Sequence, residues 1–260
     1  MFRFGCALQL QPQHSDQPSQ LYARCAVACH HGLRVVRIPP ALASPLPAHA
    51  TAYVREYVQQ HRLRLVVHAP FAHISQLIPD MATWVSFFQQ LGCADAVIIC
   101  HVPQLDAPTA TLLKRLDPTI RHYLALEHTH HAPDRFGAFT AQVGIPPIFD
   151  WQHYHQAAPW PYTPDRTLCE WAARWVTRRP LWHMSSASAH GSPTQHGTVV
   201  DSSVVIWLLR SLRTSGHVCD IEIESPAGIA AWTRLRREIQ HKAPELIPFI
   251  QSGDTHADTQ

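Results

Sequence analysis

Eight apolar runs, spaced along the chain with helical patterns between them, are the feature that most limits its fold. They are Phe2–Leu8, Leu33–Ile38, Arg62–His68, Asp95–His101, His122–Glu127, Pro147–Asp150, Pro180–Met184 and Val218–Glu224. Most are continuous β-branched or leucine-rich stretches, as expected of parallel strands covered on both faces. The intervening stretches include 50–62, 79–91, 165–177, 199–212 and 227–239, where apolar residues recur at helical spacing. Ser225-Pro226 is expected to open the last of these, and Cys25 and Cys29 share one face of an earlier helix.

A strand followed by a helix, eight times over in 260 residues, predicts a single (β/α)8 barrel, which takes about 250 residues. The rival is a doubly wound open sheet. That fold would place a glycine-rich phosphate loop after the first strand, where this chain has GCALQLQPQHSDQPS. Residues 1–251 are therefore expected to form one TIM-barrel domain, with 252–260 a disordered tail. The proline-rich stretch 38–48 is expected to be a rigid surface loop, and 185–198 a flexible polar loop on the site face.

A net charge of +2 gives no global basic field for nucleic acid. No stretch approaches the ~20 apolar residues of a membrane span, and the N-terminus lacks a signal-peptide layout, so a cytoplasmic protein is expected. Seven cysteines, without zinc-ribbon spacing, read as small core residues rather than a disulfide framework. Lys114 and Lys242 are the only lysines. Arginine suits bidentate phosphate contacts, although a compositional bias gives the same pattern.

Six of the runs end in, or just before, a histidine or a carboxylate: His68, His101, Glu127, Asp150 (then His153), His183 and Glu224. In a (β/α)8 barrel those C-terminal ends converge on one face. Imidazoles and carboxylates gathered there without cysteine suit divalent metal ions. Adding His196 from the following loop gives eight candidate ligands: His68, His101, Glu127, Asp150, His153, His183, His196 and Glu224. That number exceeds the needs of one ion, so two or three are expected, with Glu127 as a bridging carboxylate. Glu127, Glu224 and His183 are the candidate catalytic residues. Any one of these histidines is more often a hydrogen-bonded core residue, and the signal comes from the set. Glu222 is expected to face away as a structural partner. His73, His128, His155 and His190 rank below the eight.

These residues resemble the UV damage endonuclease family, a relative of endonuclease IV within the xylose-isomerase-like barrels. The resemblance runs through FRFGCAL, LRVVRIPPAL, LRLVVHAPF, VIICHVP, LALEH, GIPPIFDWQHYH, WHMSS and DIEIES, nearly the whole chain. It implies a manganese-dependent endonuclease that cuts damaged double-stranded DNA immediately 5′ of a lesion, with no membrane and no obligate protein partner. Zinc would suit the same ligand types. By matched position, Glu127, Asp150, His183 and Glu224 would surround one metal. His68, His101 and Glu127 would hold a second, and His153 with His196 a third. Candidate DNA contacts are Arg37 and Arg135, with Phe71, Trp151 and Tyr154 as aromatic wedges.

Three positions depart from the family. Ala69-Pro70-Phe71 stands where the family has a glutamine and an aromatic residue, Leu181 where it has a lysine, and His128-Thr129 where it has an Asn-Asp pair. The HAPF and IESP segments look more like the abasic-site branch. A sugar isomerase or epimerase on the same barrel, and an inactive binding relative, are the alternatives.

Overall fold

The computed structural model describes residues 1–6, 8, 16–157, 165–186 and 196–250. Eight parallel strands close into a barrel in sequence order, which excludes the open sheet. They are β1 (Arg3–Cys6), β2 (Val35–Ile38), β3 (Arg64–His68), β4 (Val97–His101), β5 (Leu124–Glu127), β6 (Pro147–Asp150), β7 (Leu181–Met184) and β8 (Asp220–Ile223). Ten helices connect the described parts of the chain. They are α1 (Gln17–His30), α2 (Ala48–Gln60), α3 (Ile74–Gln90), α4 (Ala107–Arg115), α5 (Pro118–Tyr123), α6 (Pro133–Val143), α7 (Trp151–Ala157), α8 (Asp165–Ala172), α9 (Ser202–Thr214) and α10 (Ile229–Lys242). Among the described residues, no helix is long and apolar enough to cross a membrane. The tail and most of the 185–198 loop, including His190, lie outside the described residues.

Two apolar cores follow from the two-residue period of the strands. Residues such as Leu65, Val67, Ile98, Leu126 and Phe149 point outward into a large layer shared with the helices. Inward-pointing Val35, Val66, Val97, Ile99, Ala125, Ile148 and Leu181 form a separate cluster inside the barrel. Trp175 joins that cluster, its Nε1 donating to the Pro147 carbonyl at 2.8 Å. Gly5 is required where β1 meets β2, because a Cβ there would lie 2.5 Å from the Val35 carbonyl oxygen.

Three sequence expectations shift. His122 and Tyr123 close α5 rather than open β5, because Asp117 caps that helix on the Thr119 amide and Pro118 sits at its first position. Helix α3 begins at Ile74, five residues before Pro79, capped by His73 on the Ser75 amide. Ile74 and Leu77 are buried there, and their packing holds the helix together across the proline. Helix α10 starts after Gly228, while the Ser225 hydroxyl caps the preceding turn at the Ala227 amide. The proline-rich stretch lies at the surface and is anchored there: Ala43 and Leu46 are buried, and Gln17 donates to the Leu42 and Ser44 carbonyls. All seven cysteines are free, and Cys6, Cys25, Cys93, Cys100 and Cys219 are buried.

Candidate metal centre

His68, His101, Glu127 and Asp150 are the last residues of β3, β4, β5 and β6, and His183 is the third residue of β7. Register fixes them side by side, since His101 pairs with Glu127 and Asp150 pairs with His183 across neighbouring strands. Glu224 follows β8 directly. All six therefore reach the C-terminal mouth from separate strands.

Glu127 is the hub. One carboxylate oxygen lies 2.9 Å from His183 Nδ1, and the other lies 2.8 Å from His68 Nε2 and 3.0 Å from His101 Nε2. Glu224 lies 3.3 Å from His183 Nδ1 and 3.4 Å from His196 Nε2. His196 is held in turn by the Gln152 side chain at 3.0 Å, and its ring faces that of His153 with centroids 6.3 Å apart. The Asp150 Oδ1 accepts from the His153 amide at 2.7 Å, which ties the start of α7 to the site. Three overlapping groups have ligand atoms mutually within 4.8 Å: Glu127, Asp150, His183 and Glu224; His68, His101 and Glu127; and His68, His183 and Glu224.

The electrostatics match a cation-binding mouth. Burial pushes Asp150 up, as do the Glu127 and Glu224 charges, and its carboxyl is held well above the usual range. Burial would also raise Glu127, yet His183, His101 and His68 hold it well below. His183 is driven the opposite way: burial opposes its charge, but Glu224 and Glu127 raise it well above an ordinary imidazole. The residues fit a divalent metal on a direct observation. Asp150 Oδ2 is buried with no hydrogen-bond partner, in a group with His183, Glu127 and Glu224. A carboxylate oxygen stranded there is costly unless a cation meets it.

Glu222 corrects the sequence reading. Side chains two apart on a strand share a face, so Glu222 points inward with Glu224. It is fully buried, binds Arg37, and lies 3.4 Å from His183 Nε2. The signal was present in the spacing of the two glutamates. Arg37, expected on the DNA, instead bridges Glu222 and Glu224. Burial opposes its charge, but those two carboxylates keep it raised above its usual range.

The other aromatic and basic candidates separate by burial. Phe71 is 68% exposed on the lip, its ring 5.4 Å from that of His101. Tyr154 is 2% exposed and packed against Phe149 and His128, because the helical turn from Asp150 aims it into the core. It is not placed to act as a wedge. Trp151 is half-buried against Trp207 and His155, and Arg135 is exposed on α6. His128 is a core residue bonded to the His131 carbonyl, with burial pushing it down to about 4. A groove of about 510 Å³, lined by Arg24, Arg37, Pro39, His68, Phe71 and His101, opens beside the cluster.

No protein-family model and no curated protein sequence matches the chain. Solved structures are similar over nearly its full length. SacUVDE is 14% identical with a TM-score of 0.73, covering 93% of this chain and 99% of that one. D-psicose 3-epimerase from Clostridium cellulolyticum H10, solved with D-tagatose, is 9% identical with a TM-score of 0.62, over 97% of this chain and all of that one. A xylose isomerase-like TIM barrel protein from Mycobacterium smegmatis, solved with magnesium, is 12% identical with a TM-score of 0.56, over 87% and 89% of the two chains. At these identities the likeness shows the barrel fold.

Proposed function

We propose that this protein is a divalent-metal-dependent phosphodiester hydrolase that acts on damaged double-stranded DNA, of the UV damage endonuclease type. The observation that carries the reading is the sharing of Glu127. One oxygen faces His68 and His101 and the other faces His183, as a carboxylate shared between two ions would. His68, His101, Glu127, Asp150, His183 and Glu224 would hold two or more ions, with His153 and His196 beside them; manganese is the first candidate and zinc the second. Bound divalent ions supply Lewis acidity toward a phosphoryl oxygen.

The chain's own groups do the rest. Glu222 lies 3.4 Å behind the far nitrogen of His183, where its charge favours a proton on that nitrogen and leaves Nδ1 free to face the site. Arg37 offsets the charge of Glu222 and Glu224 and holds both side chains in place. Phe71 offers an exposed ring on which a splayed base can stack. The likeness of the barrel to that of SacUVDE accords with the same reading.

A second reading is a metal-dependent sugar isomerase or epimerase. Arg37 is occupied by carboxylates rather than turned out toward a phosphate backbone, and a D-psicose 3-epimerase shares the fold. The deciding experiment is strand nicking by purified protein with added manganese on undamaged, UV-irradiated and abasic duplexes. Cutting 5′ of the UV lesion, reduced at least about 10²-fold by Glu127→Gln, is expected. Cutting of the abasic duplex alone would move the protein to abasic-site repair. Absence of cutting on any duplex, with metal bound, would overturn the assignment in favour of small sugars.

A further inference from the structure

The opposite end of the barrel holds a second concentration of charge. A cavity of about 580 Å³ at the N-terminal ends of the strands is lined by Arg3, Arg62, Asp95, Val176, Arg178 and Arg179, among others. Arg64, fully buried, adjoins this network through Asp220 and the Asp95 carbonyl. Five guanidinium groups thus face two carboxylates. Asp220 serves three of them, at 2.6 Å from Arg3, 2.6 Å from Arg64 and 3.6 Å from Arg179. Asp95 reaches Arg3 alone, at 3.2 Å. Among the described residues, no carboxylate lies at ion-pair distance from Arg62 or Arg178.

Arg178 is the plainest case. Its terminal nitrogens donate to the Ala96, Tyr123 and Leu124 carbonyls, which orient the group without neutralising it. Burial, then the neighbouring charge of Arg64, lowers its pKa to about 9. Arg64 also keeps one buried nitrogen, Nη2, without a hydrogen-bond partner. Arg62 reaches the cavity from the C-terminal cap of α2, where its left-handed φ of 50° lets the Leu63 amide donate to the Val58 carbonyl at 2.9 Å.

We propose that this cavity is a binding site for a small phosphate-class anion carrying two or more charges, such as a pyrophosphate group. Planar guanidinium forks match phosphate oxygens, and here they arrive from β1, from the turn before β3 and from the turn before β7. The volume falls in the range of small-molecule pockets, about 300–1,000 Å³. A duplex held at the mouth would lie at the other end of the barrel, so the site does not depend on the proposed nuclease activity.

The test is calorimetric titration of the full chain with pyrophosphate at constant ionic strength. Wild type is compared with Arg62→Ala/Arg179→Ala, which leaves the Arg3–Asp220–Arg64 core intact, and with Glu127→Gln. Saturable one-to-one binding is expected in wild type and Glu127→Gln, weakened at least about tenfold in the double variant. Val176→Glu puts a carboxylate on the cavity wall at a position 87% exposed, and is expected to weaken binding while keeping the fold. No saturable binding, equal binding in wild type and Val176→Glu, or loss in Glu127→Gln alone would overturn the proposal. Displacement of pyrophosphate by undamaged duplex at equal phosphate concentration would also overturn it, in favour of a nucleic-acid backbone.

Discussion

Strand β8 turns Asp220, Glu222 and Glu224 to the barrel interior at three successive levels, and the three carboxylates meet different company. Asp220, at the N-terminal end, is surrounded by arginines. Glu224, at the mouth, shares a single arginine with Glu222 and otherwise faces histidines and other acids. Between them lies the apolar layer closed by Trp175. One end therefore has permanent cations in surplus, and the other has acids and imidazoles whose charge depends on what binds. In barrels of this kind the C-terminal end carries chemistry and the N-terminal end carries stability. Here the contrast explains why Asp150 is left with a stranded oxygen while Asp220 is paired with arginine on both of its oxygens.

The largest effect is expected at the arginine end. Asp220→Asn strands Arg64 and Arg3 in the interior, and breaking a buried pair of this kind costs about 3–5 kcal/mol, readable by urea unfolding. Burial opposes the Asp220 charge, but Arg64 and Arg3 keep its carboxyl below the usual range. A carboxyl lowered on folding contributes stability above its unfolded value of about 3.9, lost as pH falls through the lower folded value. Asp220→Asn should flatten that part of the acid limb, and an unchanged limb would break the comparison.

A smaller effect belongs to the mouth. Glu222→Gln keeps the volume but removes the charge behind His183, so manganese affinity should fall roughly 10–100-fold, as for other residues that orient a ligand. Unchanged affinity would make Glu222 a partner of Arg37 only. The smallest effect is at the lip. Phe71→Ala should leave stability within about 0.5 kcal/mol, because the ring is exposed. Binding of damaged duplex should weaken by about 1–3 kcal/mol if a base stacks there, measured by fluorescence anisotropy.

How much of this the sequence disclosed follows from the period of each element. The eightfold strand–helix alternation points to the barrel, and a polar residue ending an apolar run is conspicuous, so His68, His101, Glu127, Asp150, His183 and Glu224 could be picked out as meeting on one face. The start of α3 was hidden by Pro79, which reads as a first-turn proline but sits inside the helix. Glu222 stands two residues from Glu224, so the expectation that it faces away misapplies the two-residue period of a strand, which puts both on one face. Tyr154 looked like a surface aromatic because nothing local shows which side of a short helix faces the core. The arginine end was invisible for another reason. Arginine is the prevailing base throughout, so Arg3, Arg64, Arg178 and Arg179 do not stand out until the strands close.

The most direct test of the central claim is manganese binding itself, measured by calorimetric titration and by elemental analysis of the purified chain. Two or more ions per chain are expected in wild type. Glu127→Gln should lose more than one site, because both donor groups share that carboxylate. Binding of no ion, or equal binding by wild type and Glu127→Gln, would contradict a metal centre built around Glu127.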